Sequence, residues 1–192
     1  MPCFVPGIDQ YHMRMKSSVA SVHAVASFPP QVGIDCRLLV LGTAPSVRSL
    51  AQRQSYAHPQ NLFWPLMGEM FDAGPELPYA ERIARLQRRG IGIWDVLKYC
   101  ERPGSLDSSI VRSSEVANDI PGLLTAQPSI VCVALNGGRA LTSFRRLVLP
   151  RLDAGLLQRV ALLDLPSTSP ANASMSRAEK RRRWRTLAEF LT

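Results

Sequence analysis

Three short apolar runs constrain this chain more than any other feature: residues 38–41 (LLVL), 129–135 (SIVCVAL) and 159–165 (RVALLDL). Largely continuous runs of this length read as strands covered on both faces, the pattern of a parallel sheet. A turn-forming residue stops each one: Gly42, Asn136-Gly137-Gly138 and Pro166. Between them lie stretches with helical spacing of bulky residues, at 62–71, 79–89 and 139–147. Asn118-Asp119 can cap a further helix through Leu124, and Ser176 with Glu179 forms a capping-box pattern opening a last helix to about residue 191. Residues 90–97 (GIGIWDVL) read as a short strand or loop returning to the sheet, and residues 98–114 as a polar, turn-rich loop. Strands alternating with helices predict a three-layer α/β/α sandwich on a central, mostly parallel sheet. Residues 1–36 carry neither helical nor alternating patterning, so they are assigned to a poorly ordered N-terminal extension outside a domain at 37–192.

In an open parallel sheet, ligands bind at the carboxyl ends of the strands. Three loops emerge at that edge: residues 43–61, 136–138 and 167–172. The first is long and shows no obvious helix pattern, and such a loop is more often functional than idle. None matches a dinucleotide or P-loop fingerprint, and no G-x-S-x-G elbow is present, so a nucleotide cofactor and a serine hydrolase are both disfavoured. No cofactor is expected. Cys3, Cys36, Cys100 and Cys132 are scattered without a C-x-x-C pair, so no metal site is expected either. Cys132 sits inside an apolar strand as a reduced thiol, which points to a reducing, cytoplasmic setting. No apolar run reaches the roughly 18 residues of a membrane span. The net charge of +8 favours polyanionic partners, nucleic acid before an acidic membrane surface, though solvated surface charge accounts for such an excess equally well.

The segments GTAPS (42–46), YAHPQNLFW (56–64) and LPSTSPAN (165–172) resemble the uracil-DNA glycosylase superfamily. Within it they are most similar to the hypoxanthine-DNA glycosylase (DNA-deoxyinosine glycosylase) family, as are GIWDVL (92–97) and CERPGSLDS (100–108). The resemblance runs from about Arg37 to the C-terminus. It implies a cofactor-free enzyme that flips a deaminated base out of DNA and cuts its glycosidic bond.

That chemistry leaves a sugar cation and an anionic base, so it needs oriented water and donors for the leaving group. Where related mismatch-specific uracil glycosylases carry a water-positioning Asn in the first motif, this chain has Ala44. The hypoxanthine family similarly lacks that residue, and an Asn in its His-Pro-x-Asn segment is implicated instead; the match is Asn61. From spacing alone, Asn61 equally suits a cap for the helix at Leu62. The resemblance assigns base binding to Thr43, Ala44, Tyr56, Asn136 and Ser167, with Tyr56 stacking on the extruded base. Ordinary packing is the alternative for Tyr56, and a helix cap the alternative for Asn136. Phe63 and Trp64 read as core. His58 reads as structural, and Asp95 and Asp107 as acidic candidates that equally suit turns or caps.

The loop carrying Ser169, Pro170, Ala171 and Asn172 resembles the motif that presses into DNA beside the flipped nucleotide. Pro170 and Ala171 are compact where relatives place a bulky wedge, which shifts the expected work to shape and phosphate contacts. Behind it, Arg177, Arg181 and Arg185 are spaced by four on one helical face, either for phosphate contact or as solvated surface. The resulting expectation is a monomeric, monofunctional glycosylase acting on DNA with a deaminated base, hypoxanthine first. A uracil- or mismatch-selective enzyme and a catalytically silent DNA-binding domain are the alternatives.

Overall fold

The structure is a computed structural model that describes residues 24–191. Its strands are β1 (Ala24–Ala26), β2 (Leu38–Gly42), β3 (Ile91–Asp95), β4 (Leu97–Glu101), β5 (Val116–Ala117), β6 (Cys132–Asn136) and β7 (Ala161–Leu165). Its α-helices are α1 (Val47–Gln52), α2 (Phe63–Phe71), α3 (Tyr79–Arg88), α4 (Ile120–Ala126), α5 (Gly138–Leu147), α6 (Ala154–Arg159) and α7 (Arg177–Trp184).

The apolar runs form an all-parallel sheet in the order β3-β2-β6-β7. Successive side chains of a strand point to opposite faces, so β2 and β6, buried at every residue, feed two cores. By contrast β7, an edge strand, is exposed at Ala161, Leu162 and Asp164 and is not covered on both faces as its sequence suggested. Leu39, Leu41, Val133 and Leu135 pack on one face with Ile120 and Leu124 of α4, Phe144 of α5 and Leu156 of α6. Leu38, Val40, Ile91, Ile93, Cys132 and Ala134 pack on the other with Phe63 and Met67 of α2, Leu86 of α3, and Trp184 of α7. This is the expected three-layer sandwich. Cys36, Cys100 and Cys132 are buried free thiols, and no helix among the described residues is long and apolar enough to cross a membrane.

A second, antiparallel sheet in the order β1-β4-β5 departs from the sequence reading in two places. The expected loop over 98–114 begins as a strand, β4, whose exposed Lys98 and Tyr99 break any regular alternation. Residues 24–36, assigned above to an extension, belong to the fold: β1 pairs with β4, and Val25 is buried. The Trp94 indole donates to the Phe28 carbonyl at 2.8 Å, Gln31 bridges to Ile93, and Cys36 is fully buried. A three-residue strand with one inward side chain lies below what a period-2 pattern can reveal. Residues 1–23 lie outside the described residues. A chain beginning near Ile34 is therefore expected to lose roughly 2–4 kcal/mol, from the burial of Val25 and the lost hydrogen bonds. Urea denaturation measures this, and a truncated protein with an unchanged midpoint would contradict it.

Three helical details also differ. The loop at 43–61 contains α1, a polar turn capped by Ser46 whose single buried residue is Ser49, so it has no apolar stripe to detect. α6 was not anticipated. The last helix ends as α-helix at Trp184 and continues as a 3-10 segment, Arg185–Phe190.

Candidate active site

The loops at the carboxyl edge enclose a cavity of about 540 Å³. Thr43, Ala44, Tyr56, Asn61, Asn136, Ser167, Ser169, Pro170, Ala171 and Asn172 all line it. His58, Asp95, Arg102 and Asp107 join them. The residues singled out in three separated segments thus meet around one space.

The floor is built on Gly42 at the end of β2. A Cβ there would lie 2.6 Å from Asp95 Oδ1 and 3.1 Å from the Tyr56 hydroxyl, so only glycine admits both groups. Tyr56 adopts a left-handed backbone (φ 57°), and its ring stacks on Phe63 at 3.9 Å with an interplanar angle of 22°. Phe63 is in turn held edge-on by Trp64 and Trp184. Phe63 is core, as expected, and it is also the backing plate for the Tyr56 ring. The Tyr56 hydroxyl is buried and approaches Asn136 without closing a well-formed hydrogen bond. Burial, with Asp95 nearby, pushes its ionisation far above the ordinary range, so it is a neutral donor.

Asn61 Oδ1 accepts from the Phe63 amide at 3.0 Å, an Asx turn that starts α2. The capping role is real, and it leaves the amide nitrogen and a second lone pair of Oδ1 on a residue that lines the cavity. His58 Nδ1 accepts from the Gln60 amide at 3.2 Å.

Asn136 lines the cavity and does not cap α5. Its Nδ2 donates to Thr168 Oγ1 at 2.9 Å and its Oδ1 accepts from the Thr168 amide at 3.0 Å, clamping the loop after β7. Gly137, with φ 98°, opens α5 without a side-chain cap, and a Cβ there would lie 2.6 Å from that of Ser167. The two loops touch through that glycine. Ser167 Oγ accepts from the Ser169 amide at 3.2 Å, tightening the turn that carries Pro170 and Ala171.

Arg102 was missed as a site residue. Its side chain is fully buried, donating from Nε to the Gly104 carbonyl at 3.2 Å and from Nη2 to the Pro45 carbonyl. Its Nη1 pairs with Asp107 at 3.5 Å, and the Thr43 hydroxyl also contacts the Asp107 carboxyl. Asp95 is buried at the end of β3, and burial together with the Asp107 charge pushes its carboxyl up to about 7. Ser27 and Arg102 oppose that rise without cancelling it. The floor thus holds a carboxyl that is neutral below about pH 7, and neutral carboxyls donate.

A raised folded-state value has a defined consequence for stability. Between the ordinary 3.8 and about 7 the folded chain holds a proton that the unfolded chain has lost. Stability attributable to Asp95 therefore falls as pH rises through that window and levels off above it. Asp95→Asn, neutral and of the same shape, is expected to be on the order of 1–3 kcal/mol more stable than the parent at pH 8. The two should converge only below pH 3.8, where both states hold the proton; urea midpoints from there to about pH 8 check this, and parallel pH profiles would refute it.

The basic stripe is partly engaged within the fold. Arg181 pairs with Glu69 of α2 at 2.8 Å, and Lys180 is buried with its Nζ on the Asn172 carbonyl at 2.7 Å. Arg182 pairs with Glu179. Arg177 is exposed and makes no ion pair among the described residues, so of the two arginines singled out it is the unengaged cation. Neither Arg177 nor Arg181 lines the cavity.

Among solved structures, the solution NMR structure of a Methanosarcina acetivorans protein, named provisionally as a uracil DNA glycosylase, superposes with a TM-score of 0.71. It is 28% identical, and the alignment covers 88% of this chain and 99% of that one. A Methanosarcina acetivorans protein named hypoxanthine DNA glycosylase is 34% identical over 114 residues, 59% of this chain and 71% of the relative. One of the same name from Methanosarcina barkeri is 33% identical over the same shares. The family described as the uracil DNA glycosylase superfamily matches residues 29–190, which takes in the whole parallel sheet, β4 and β5 of the second sheet, and every loop around the cavity. The chain belongs to the uracil DNA glycosylase superfamily.

Proposed function

We propose that this protein is a monofunctional DNA glycosylase that hydrolytically releases a deaminated base, hypoxanthine from deoxyinosine before others. The observation that carries the reading is the cavity itself, whose wall holds Tyr56, backed by Phe63, and Asn61, anchored by its Asx turn. A base extruded from DNA stacks on the open side of the Tyr56 ring. As the N-glycosidic bond breaks, its electron pair leaves with the base and the sugar becomes cationic. Water held by the Asn61 amide adds to that carbon, giving an abasic site and the free base. The Asp95 carboxyl, neutral below about pH 7, is a donor on the floor, available to the departing base as charge develops on it. The likeness to two hypoxanthine DNA glycosylases supports hypoxanthine as the base.

Base release from duplexes containing hypoxanthine, xanthine, uracil or an undamaged purine at one position tests this. Hypoxanthine release well above the rest is the expected result. Preferential uracil release would favour the second reading, a uracil-selective enzyme, to which the solved relative's provisional name points. Tight duplex binding with no release of any base would favour a silent DNA-binding domain.

A further inference from the structure

We propose that Leu106 is an apolar wedge that enters the DNA stack beside the flipped nucleotide, supplying the bulk that Pro170 and Ala171 lack. The inference rests on the glycosylase reading above. Leu106 lines the cavity yet is 55% exposed, which places it at the rim. Single exposed leucines are common and need no explanation. This one differs in how it is held.

Its loop is braced from beneath by the fully buried Arg102, which grips the Gly104 carbonyl on one side of Leu106 and the Asp107 carboxyl on the other. The same guanidinium ties the loop to the Pro45 carbonyl across the cavity wall. The Leu106 carbonyl accepts from the Ser109 amide at 2.9 Å, closing the 3-10 turn Asp107–Ser109 directly behind it. A buried cation thus holds the chain on both sides of a solvent-facing leucine, which lowers the cost of ordering the loop on insertion. Ser105 and Ser108, exposed and also on the cavity wall, flank it as small polar groups suited to phosphate oxygens.

Topology completes the placement. The loop with Pro170 and Ala171 follows β7, one edge of the parallel sheet, and β4, which leads into the Leu106 loop, continues the chain from β3, the other edge. The mouth therefore has an apolar lip on each side: a compact one at Pro170-Ala171 and a projecting one at Leu106. Apolar side chains pushed between base steps hold them apart and stabilise the kinked duplex.

The test uses the full chain, with Leu106→Ala and Leu106→Met, on deoxyinosine in a duplex and in the same strand alone. A 2-aminopurine beside the lesion, or beside a stable abasic analogue, reports unstacking without turnover. Leu106→Ala, at an exposed position, is expected to fold normally and to lose the fluorescence rise. It should cut duplex cleavage on the order of 10- to 100-fold while single-strand cleavage, which needs no wedge, stays within about twofold. Leu106→Met should retain most duplex activity. Equal effects of Leu106→Ala on both substrates, or an undiminished fluorescence rise, would overturn the wedge. If the parent protein releases hypoxanthine from neither substrate, the glycosylase reading falls, and the fluorescence arm on the abasic analogue still decides the wedge.

Discussion

Asn61→Ala is expected to slow single-turnover base release by roughly 10²- to 10³-fold, the range for removing one preorganised polar group from a reaction centre. The same change should lower stability by about 1 kcal/mol, because Asn61 Oδ1 caps the Phe63 amide. Cap and catalyst are not rival roles in this geometry. The bond to Phe63 orients the amide and leaves its N–H groups and one lone pair for water. Asn61→Asp separates the two: an Asp oxygen still accepts from Phe63, so stability should be retained. It has lost the donor and gained a charge, so release should fall nearly as far as with Ala. Binding to duplex with an abasic analogue should change little in either variant. Near-normal release by both would remove Asn61 from the reaction and leave Tyr56 and Asp95 as the polar groups to examine.

What could be read in advance follows the range of the interactions involved. β2 and β6 were legible because each is a contiguous apolar run, and burial on both faces writes itself into consecutive residues. β7 was found by its apolar content although, as an edge strand, it exposes Ala161, Leu162 and Asp164. Asn61 and Tyr56 were singled out in a segment resembling a known family and both line the cavity, although the Asx turn that anchors Asn61 was not legible. β1 and β5 were hidden because strands of three and two residues have no period. The clamp from Asn136 to the loop after β7 was not legible, since its partner Thr168 is 32 residues away in the chain. The ion pair of Arg181 was hidden for a similar reason: helical spacing gives a face, and the sequence does not say that Glu69 on another helix meets it. Arg102 is the plainest case. Arginine is almost never fully buried, and nothing near it in the chain signals an acceptor 57 residues back at Pro45.

That buried arginine sets the second large expectation. Arg102→Met, which keeps much of the length and removes the charge, is expected to cost about 3–5 kcal/mol of stability, as when one partner of a buried pair is deleted. The carbonyls of Pro45 and Gly104 lose their donor together, and Asp107 loses a counter-charge. The damage should extend to function, because the guanidinium joins the loop after β2, where Thr43 and Ala44 sit, to the loop that carries Leu106. Release from duplex should therefore fall even at temperatures where the variant remains folded. Arg102→Lys is expected to recover little: an ammonium on a flexible stem cannot reach three acceptors that a planar fork meets from fixed directions. Asp107→Asn offers the contrast: the amide oxygen can still accept from Nη1, and the Pro45 and Gly104 carbonyls still hold the guanidinium, which loses only its counter-charge. That variant should cost less, roughly 1–2 kcal/mol. Equal urea midpoints for Arg102→Met and Asp107→Asn would mean that the salt bridge, and not the bracing of two loops through their carbonyls, is what Arg102 contributes.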